Sequence, residues 1–160
     1  MGVREGTAPP VLKPVTVDPK TTALLMLDFN QQTCNAQRRP RCIASIPKVK
    51  SLLTAARAAG VPVVFSLGGG GKPADIAHDL APAHDDPVVS SGVDKFVHTD
   101  LEKILKEKGI KTVIVVGTAA HGAVLYTASG AAMRGLKWSF PSTASRQTYP
   151  MRNSTSSGIW

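Results

Sequence analysis

Aromatic residues are scarce, at 5% of the 160 positions, and only two cysteines occur, Cys34 and Cys42. Few aromatics means few stacking platforms for single-stranded nucleic acid. Two cysteines cannot build a disulfide scaffold or a cysteine-rich zinc site. No apolar run approaches the roughly 18–20 residues that span a bilayer, so no membrane partner is expected. The first residues, Met1 to Thr7, lack the apolar core of a secretory signal, which places the protein in the cytoplasm on this reading. Acidic residues are in the minority, 11 against 19 Lys and Arg, for a net charge of +8. The densest basic run, Arg38-Arg39-Pro40-Arg41, is short and reads as a solvated loop rather than a nucleic-acid patch.

At 42% hydrophobic, the chain has enough apolar surface for a core of its own, and its length fits one domain. Residues 1–20 contain prolines and no sustained period, and read as an irregular arm. Thr22–Asp28 is a short apolar run closed by a carboxylate, the pattern of a parallel strand buried on both faces. Apolar positions then recur at helical spacing from Ile43 to Ala59, stopped by Gly60. Val61–Leu67 reads as a second strand, running into Gly68–Gly71. Pro87–Ser90 is a short third. Thr99 and Glu102 have the spacing of a capping box ahead of a helix on Leu101, Ile104 and Leu105. Lys111–Val116 is the clearest strand, and Gly117 opens a turn into a helix of small residues, Gly122 to Arg134. Strands alternating with helices predict a three-layer α/β/α domain over 21–137, with a mostly parallel Rossmann-like sheet.

Residues 138–160 depart from that pattern. They contain no Val, Leu, Lys, Asp or Glu but nine Ser and Thr, where the architecture asks for another apolar strand. Read one base earlier, GC-rich codons for this stretch can spell a strand ending in aspartate and an amphipathic helix. We therefore read 138–160 as an atypical polar tail of the kind a frame slip produces, with an ordinary polar tail as the alternative.

In a doubly wound sheet, ligands bind beyond the C-terminal strand ends, which brings forward Asp28, the Ser90–Lys95 stretch and the Gly117–Ala123 turn. The segments Ala23-Leu-Leu-Met-Leu-Asp-Phe29, Val61-Pro-Val-Val-Phe65, Phe96-Val-His-Thr-Asp-Leu-Glu102 and Val115-Val-Gly-Thr-Ala-Ala-His-Gly-Ala-Val-Leu-Tyr-Thr-Ala128 resemble, in order and spacing, the isochorismatase-like (cysteine hydrolase) superfamily. That resemblance implies an Asp, a Lys and a Cys in catalysis. The Asp falls on Asp28, as acid or base. Counting back from Phe96 puts the Lys near Ser90, with Lys95 the nearest ammonium. The Cys falls on Ala123, whose methyl cannot attack a substrate. The turn before it resembles the family segment that carries a cis peptide and oxyanion-binding amides, here around Ala119 and Ala120. Phe29, Ser90 and His121 are further substrate-side candidates.

The resemblance implies a hydrolase acting on a C–N or enol-ether bond of a small polar metabolite without a thiol, or an inactive fold that binds a small molecule or protein partner. It also implies a homo-oligomer, dimer or tetramer. No cofactor and no metal are expected. His78 and His84, with Asp79, Asp85 and Asp86, read as a solvated loop rather than zinc ligands. Cys34, six residues after Asp28, reads as a small buried hydrophobe rather than a second nucleophile. The Gly68–Gly71 run lacks the Lys-Ser/Thr of a phosphate loop and reads as a flexible lid.

Overall fold

The computed structural model describes residues 14–141. The strands are β1 (Thr22–Leu27), β2 (Val63–Leu67), β3 (Val88–Ser90), β4 (Thr112–Gly117) and β5 (Lys137–Ser139). The helices are α1 (Pro40–Ala58), α2 (Leu101–Glu107) and α3 (Leu125–Met133). All pairings are parallel, in the order β3-β2-β1-β4-β5, as the alternation of strands and helices predicts.

Every residue of β1 is buried, because the period-2 pleat sends alternate side chains into two separate cores. Ala23, Leu25 and Leu27 join Val113 and Val115 of β4 against α2 and α3. Leu24 and Met26 join Val63, Phe65 and Val116 against Val49 and Leu53 of α1. Each fully buried Leu or Phe contributes roughly 1.5–3 kcal/mol, so the unbroken apolar run of β1 is what places this strand at the centre. The chain runs outward on one side through β2 and β3, then crosses to β4 and β5. The switch point lies between β1 and β4, whose backbones approach closely at their C-terminal ends. A Cβ on Gly117 would stand 2.9 Å from the Leu27 Cβ and 3.1 Å from its carbonyl oxygen.

Three expectations are corrected here. The further strand that the architecture asks for after Gly135 is present as β5, with Trp138 opposite Val113. It is a three-residue edge strand, too short for an apolar run to announce it. The capping box does not form: Thr99 Oγ1 accepts from the Leu101 N–H at 3.2 Å. Glu102 instead pairs with Lys106 at 2.6 Å and Arg134 at 2.7 Å, and these two cations hold its carboxyl below the usual range. Finally, α3 is preceded by one wide turn, Ala120–Val124, in which Gly122 leaves helical geometry (φ −112°, ψ −114°). Among the described residues no helix is long and apolar enough to cross a membrane. The arm up to residue 13 and the tail from 142, with the frame-slip reading, lie outside the described residues.

Candidate functional site

β1 delivers Asp28 to the switch point, and there the backbone turns into the left-handed region at φ 62°. Such a conformation costs a non-glycine residue about 1 kcal/mol or more and persists only where neighbours fix it. Here the Asp28 N–H donates to the Ser66 carbonyl at 3.1 Å, and the Thr33 hydroxyl donates to the Asp28 carbonyl. The side chain thereby faces β2 and the loop after β3.

The Asp28 carboxylate is 9% exposed, and its Oδ1 accepts from the Lys95 ammonium at 2.8 Å and from the Ser66 hydroxyl at 2.8 Å. Lys95 is fully buried. Its Nζ also donates to the carbonyls of Gly92 at 2.7 Å, Ser91 at 3.1 Å and Leu67 at 3.4 Å, which satisfies the ammonium. Its backbone N–H donates to Thr127 Oγ1 at 3.2 Å, so α3 anchors the loop that carries it. No donor among the described residues reaches Asp28 Oδ2. One carboxylate oxygen is thus fixed, and the other takes no hydrogen bond from the described residues.

Asn30 was not singled out from the sequence. It is fully buried, and its amide clamps Gly68 both ways: Nδ2 donates to the Gly68 carbonyl at 2.8 Å, and Oδ1 accepts from the Gly68 N–H at 3.1 Å. Gly68 is therefore a fastened wall, not the start of a free lid. A Cβ there would stand 3.0 Å from both Cγ and Oδ2 of Asp28 and 3.3 Å from Thr33 Cγ2. Gly68→Ala is expected to lower stability by about 1–3 kcal/mol through overpacking, measured by urea unfolding. A loss below a few tenths would mean that Asp28 does not occupy this position.

Farther along the same wall, Asp75 accepts from the Lys72 N–H at 2.8 Å, Gln32 at 2.7 Å and Gln31 at 2.8 Å. The Lys72 amide first, then Gln32, hold its carboxyl below the usual range.

The turn after β4 forms the opposite rim. The Thr118 N–H donates to the Leu27 carbonyl at 3.2 Å, and the Ala119 carbonyl accepts from Gly122 at 3.1 Å and Val124 at 3.3 Å. Ala119 and Ala123 are buried, Ala120 is half-buried and His121 is exposed. The amides opening such a turn have no helical acceptors of their own. No cis peptide occurs among the described residues, unlike the segment this turn resembles; trans is the ordinary form where no proline follows.

The structure thus brings Asp28 and Lys95 into contact and places the Ala119–Ala123 turn at the neighbouring strand end. Ser90 is exposed at the end of β3, opposite Leu67, and is not a partner of Asp28 or Lys95 among the described residues. Phe29 is 2% exposed and lies in the core on the α1 side. Cys34 is not a free thiol: it forms a disulfide with Cys42, so the expectation of a lone buried cysteine is corrected. The turn Asn30–Cys34, closed by the Cys34 N–H on the Asn30 carbonyl at 2.8 Å, brings it back to the first turn of α1. Asp79 pairs with Lys50 and Asp86 with Arg57, while His84 and Asp85 are exposed.

Residues 22–151 match the isochorismatase domain. A secreted isochorismatase effector, Isc1, of Verticillium dahliae is 31% identical over 134 residues, 76% of this chain and 70% of that protein. Among solved structures, a cysteine hydrolase of Pseudomonas syringae pv. phaseolicola superposes with a TM-score of 0.73 at 24% identity, over 84% of this chain and 76% of that one. An N-carbamoylsarcosine amidase of Thermoplasma acidophilum gives 0.71 at 21% identity, over 78% and 83% respectively. At such identities these structures speak for the fold.

Proposed function

The chain belongs to the isochorismatase domain family, and on that premise we propose that it is a thiol-independent hydrolase of a small polar metabolite, with Asp28 as its acid and base. The observation that carries this reading is the half-committed carboxylate: Oδ1 is held by Lys95 and Ser66 while Oδ2 is open. A carboxyl group fixed at one oxygen and free at the other is positioned for general acid–base work. Ala123, onto which the resemblance puts the family's cysteine, offers no nucleophile.

An enol ether suits this site better than an amide, because protonation at carbon makes the electrophile without a covalent intermediate. The protonated Asp28 Oδ2 delivers its proton to the terminal alkene carbon. Water adds to the oxocarbenium carbon and returns a proton to Asp28. The resulting hemiketal then releases the alcohol and leaves a carbonyl compound, with one water consumed. Amides of the Ala119–Ala120 turn would stabilise negative charge on a substrate oxygen; His121 and Ser90, both exposed, remain substrate-side candidates, whereas Phe29, enclosed in the α1-side core, does not. In C–N cleavage the same carboxylate would activate water.

A homo-oligomer belongs to the reading, supported by the exposed Tyr126 and Met133 on α3. The Cys34–Cys42 bridge and the secreted relative favour an oxidising compartment over the cytoplasm.

A panel of small enol ethers and amides, offered to the parent and to Ala123→Cys, tests the proposal. Enol-ether turnover by the parent is the expected result. Turnover by Ala123→Cys alone would mark the natural chain as a folded pocket without its catalyst, which then binds rather than cleaves.

A further inference from the structure

We infer that the Arg39 guanidinium is the docking point for a carboxylate group on the molecule bound at this site. The inference deepens the hydrolase reading and rests on it for the location of the site, but not for the binding itself. Arg39 Nη1 donates to the Thr33 carbonyl at 3.3 Å and to Thr118 Oγ1 at 3.2 Å. These two residues are the ones lashed to the backbone around Asp28: the Thr33 hydroxyl donates to the Asp28 carbonyl, and the Thr118 N–H donates to the Leu27 carbonyl at 3.2 Å. The guanidinium therefore bridges both rims of the site.

Among the described residues no carboxylate pairs with Arg39, although Arg57 and Arg134 each have one. A guanidinium has five N–H donors, and here a single nitrogen meets two neutral oxygens. Arg39 is also half-buried, and a partly desolvated cation gains from an anion far more than an exposed one does.

The arginine is held in place before any ligand arrives. The Cys34–Cys42 bridge closes its loop, and Pro40 opens α1 directly after it. A preorganised planar fork beside a hydroxyl matches a carboxylate with two oxygens. The neighbouring loop adds polar surface, a depression lined by Gln31, Gln32, Asn35, Gln37 and Arg38.

The competing account is a strap that merely ties Thr33 to Thr118, and it predicts no preference for anions. The test titrates the whole chain with succinate and benzoate, then with succinamide and benzamide, at fixed ionic strength. Binding is read from the Arg39 Nε–Hε resonance and from the melting temperature. The carboxylates are expected to bind at least tenfold tighter than their amides and to shift that resonance saturably. Arg39→Gln is expected to weaken carboxylate binding tenfold or more, and Arg39→Lys to weaken it less. Equal binding of acids and amides, or an unchanged Arg39 resonance, overturns the inference. So does carboxylate binding that Arg39→Gln leaves intact. If Arg39→Gln does not fold, the titration of the unsubstituted chain decides alone. Carboxylate binding without turnover of any substrate would sink the hydrolase reading and leave this one standing.

Discussion

Lys95→Met is expected to cost about 3–5 kcal/mol of stability, because it strips the partner from a buried carboxylate. The side chain is completely enclosed and its ammonium meets Asp28 Oδ1 together with three backbone carbonyls. Methionine fills a similar volume but donates nothing. Asp28 would keep only the Ser66 hydroxyl on Oδ1, and the carbonyls of Leu67, Ser91 and Gly92 would face a thioether. Removing both charges together, as Asp28→Asn with Lys95→Met, should recover part of the loss. Urea unfolding of the two single variants and the double variant measures this coupling. A single-variant loss under about 1 kcal/mol, the range of exposed pairs, would show that the pair is not buried as described.

Breaking the Cys34–Cys42 bridge is expected to cost about 2.5 kcal/mol, the loop-closure value for a loop of this length. The bridge joins residues separated by 8 in sequence, with both cysteines buried. Cys42→Ser, or the parent under dithiothreitol, should therefore melt about 5–10 °C lower than the oxidised chain. Before reduction, maleimide should find no thiol even in denaturant, and afterwards it should find both. Superimposable melting curves with and without reductant would contradict the bridge, and with it the compartment argument.

The long elements were legible because burial on two faces writes itself as an unbroken apolar run. Thr22–Leu27 and Thr112–Gly117 are the central pair and were the plainest strands. β5 was not legible, since an edge strand of Lys137, Trp138 and Ser139 has no such run.

Asp28 could be read from its place after β1, whereas Lys95 could not be assigned by counting. The chain between β3 and Phe96 folds back through Ser91 and Gly92, whose carbonyls wrap the ammonium, so linear distance from Phe96 misleads. Asn30 left a signal that went unused: a neutral amide two residues beyond the carboxylate, in a buried segment, has to satisfy both ends. Arg39 was hidden inside a basic run that composition assigns to solvent. The disulfide was masked by the expectation of a reducing cytoplasm, because two cysteines alone do not reveal that their loop doubles back.

The measurement that bears most directly on this account is the turnover of Asp28→Asn beside the parent, on whichever enol ether the parent cleaves, with both proteins shown folded by their melting curves. Asparagine keeps the shape but cannot exchange the proton, so hydrolysis should fall about 10²–10⁴-fold, the usual contribution of a general acid or base. A folded Asp28→Asn protein that cleaves the same substrate within tenfold of the parent would contradict the account and place the chemistry elsewhere.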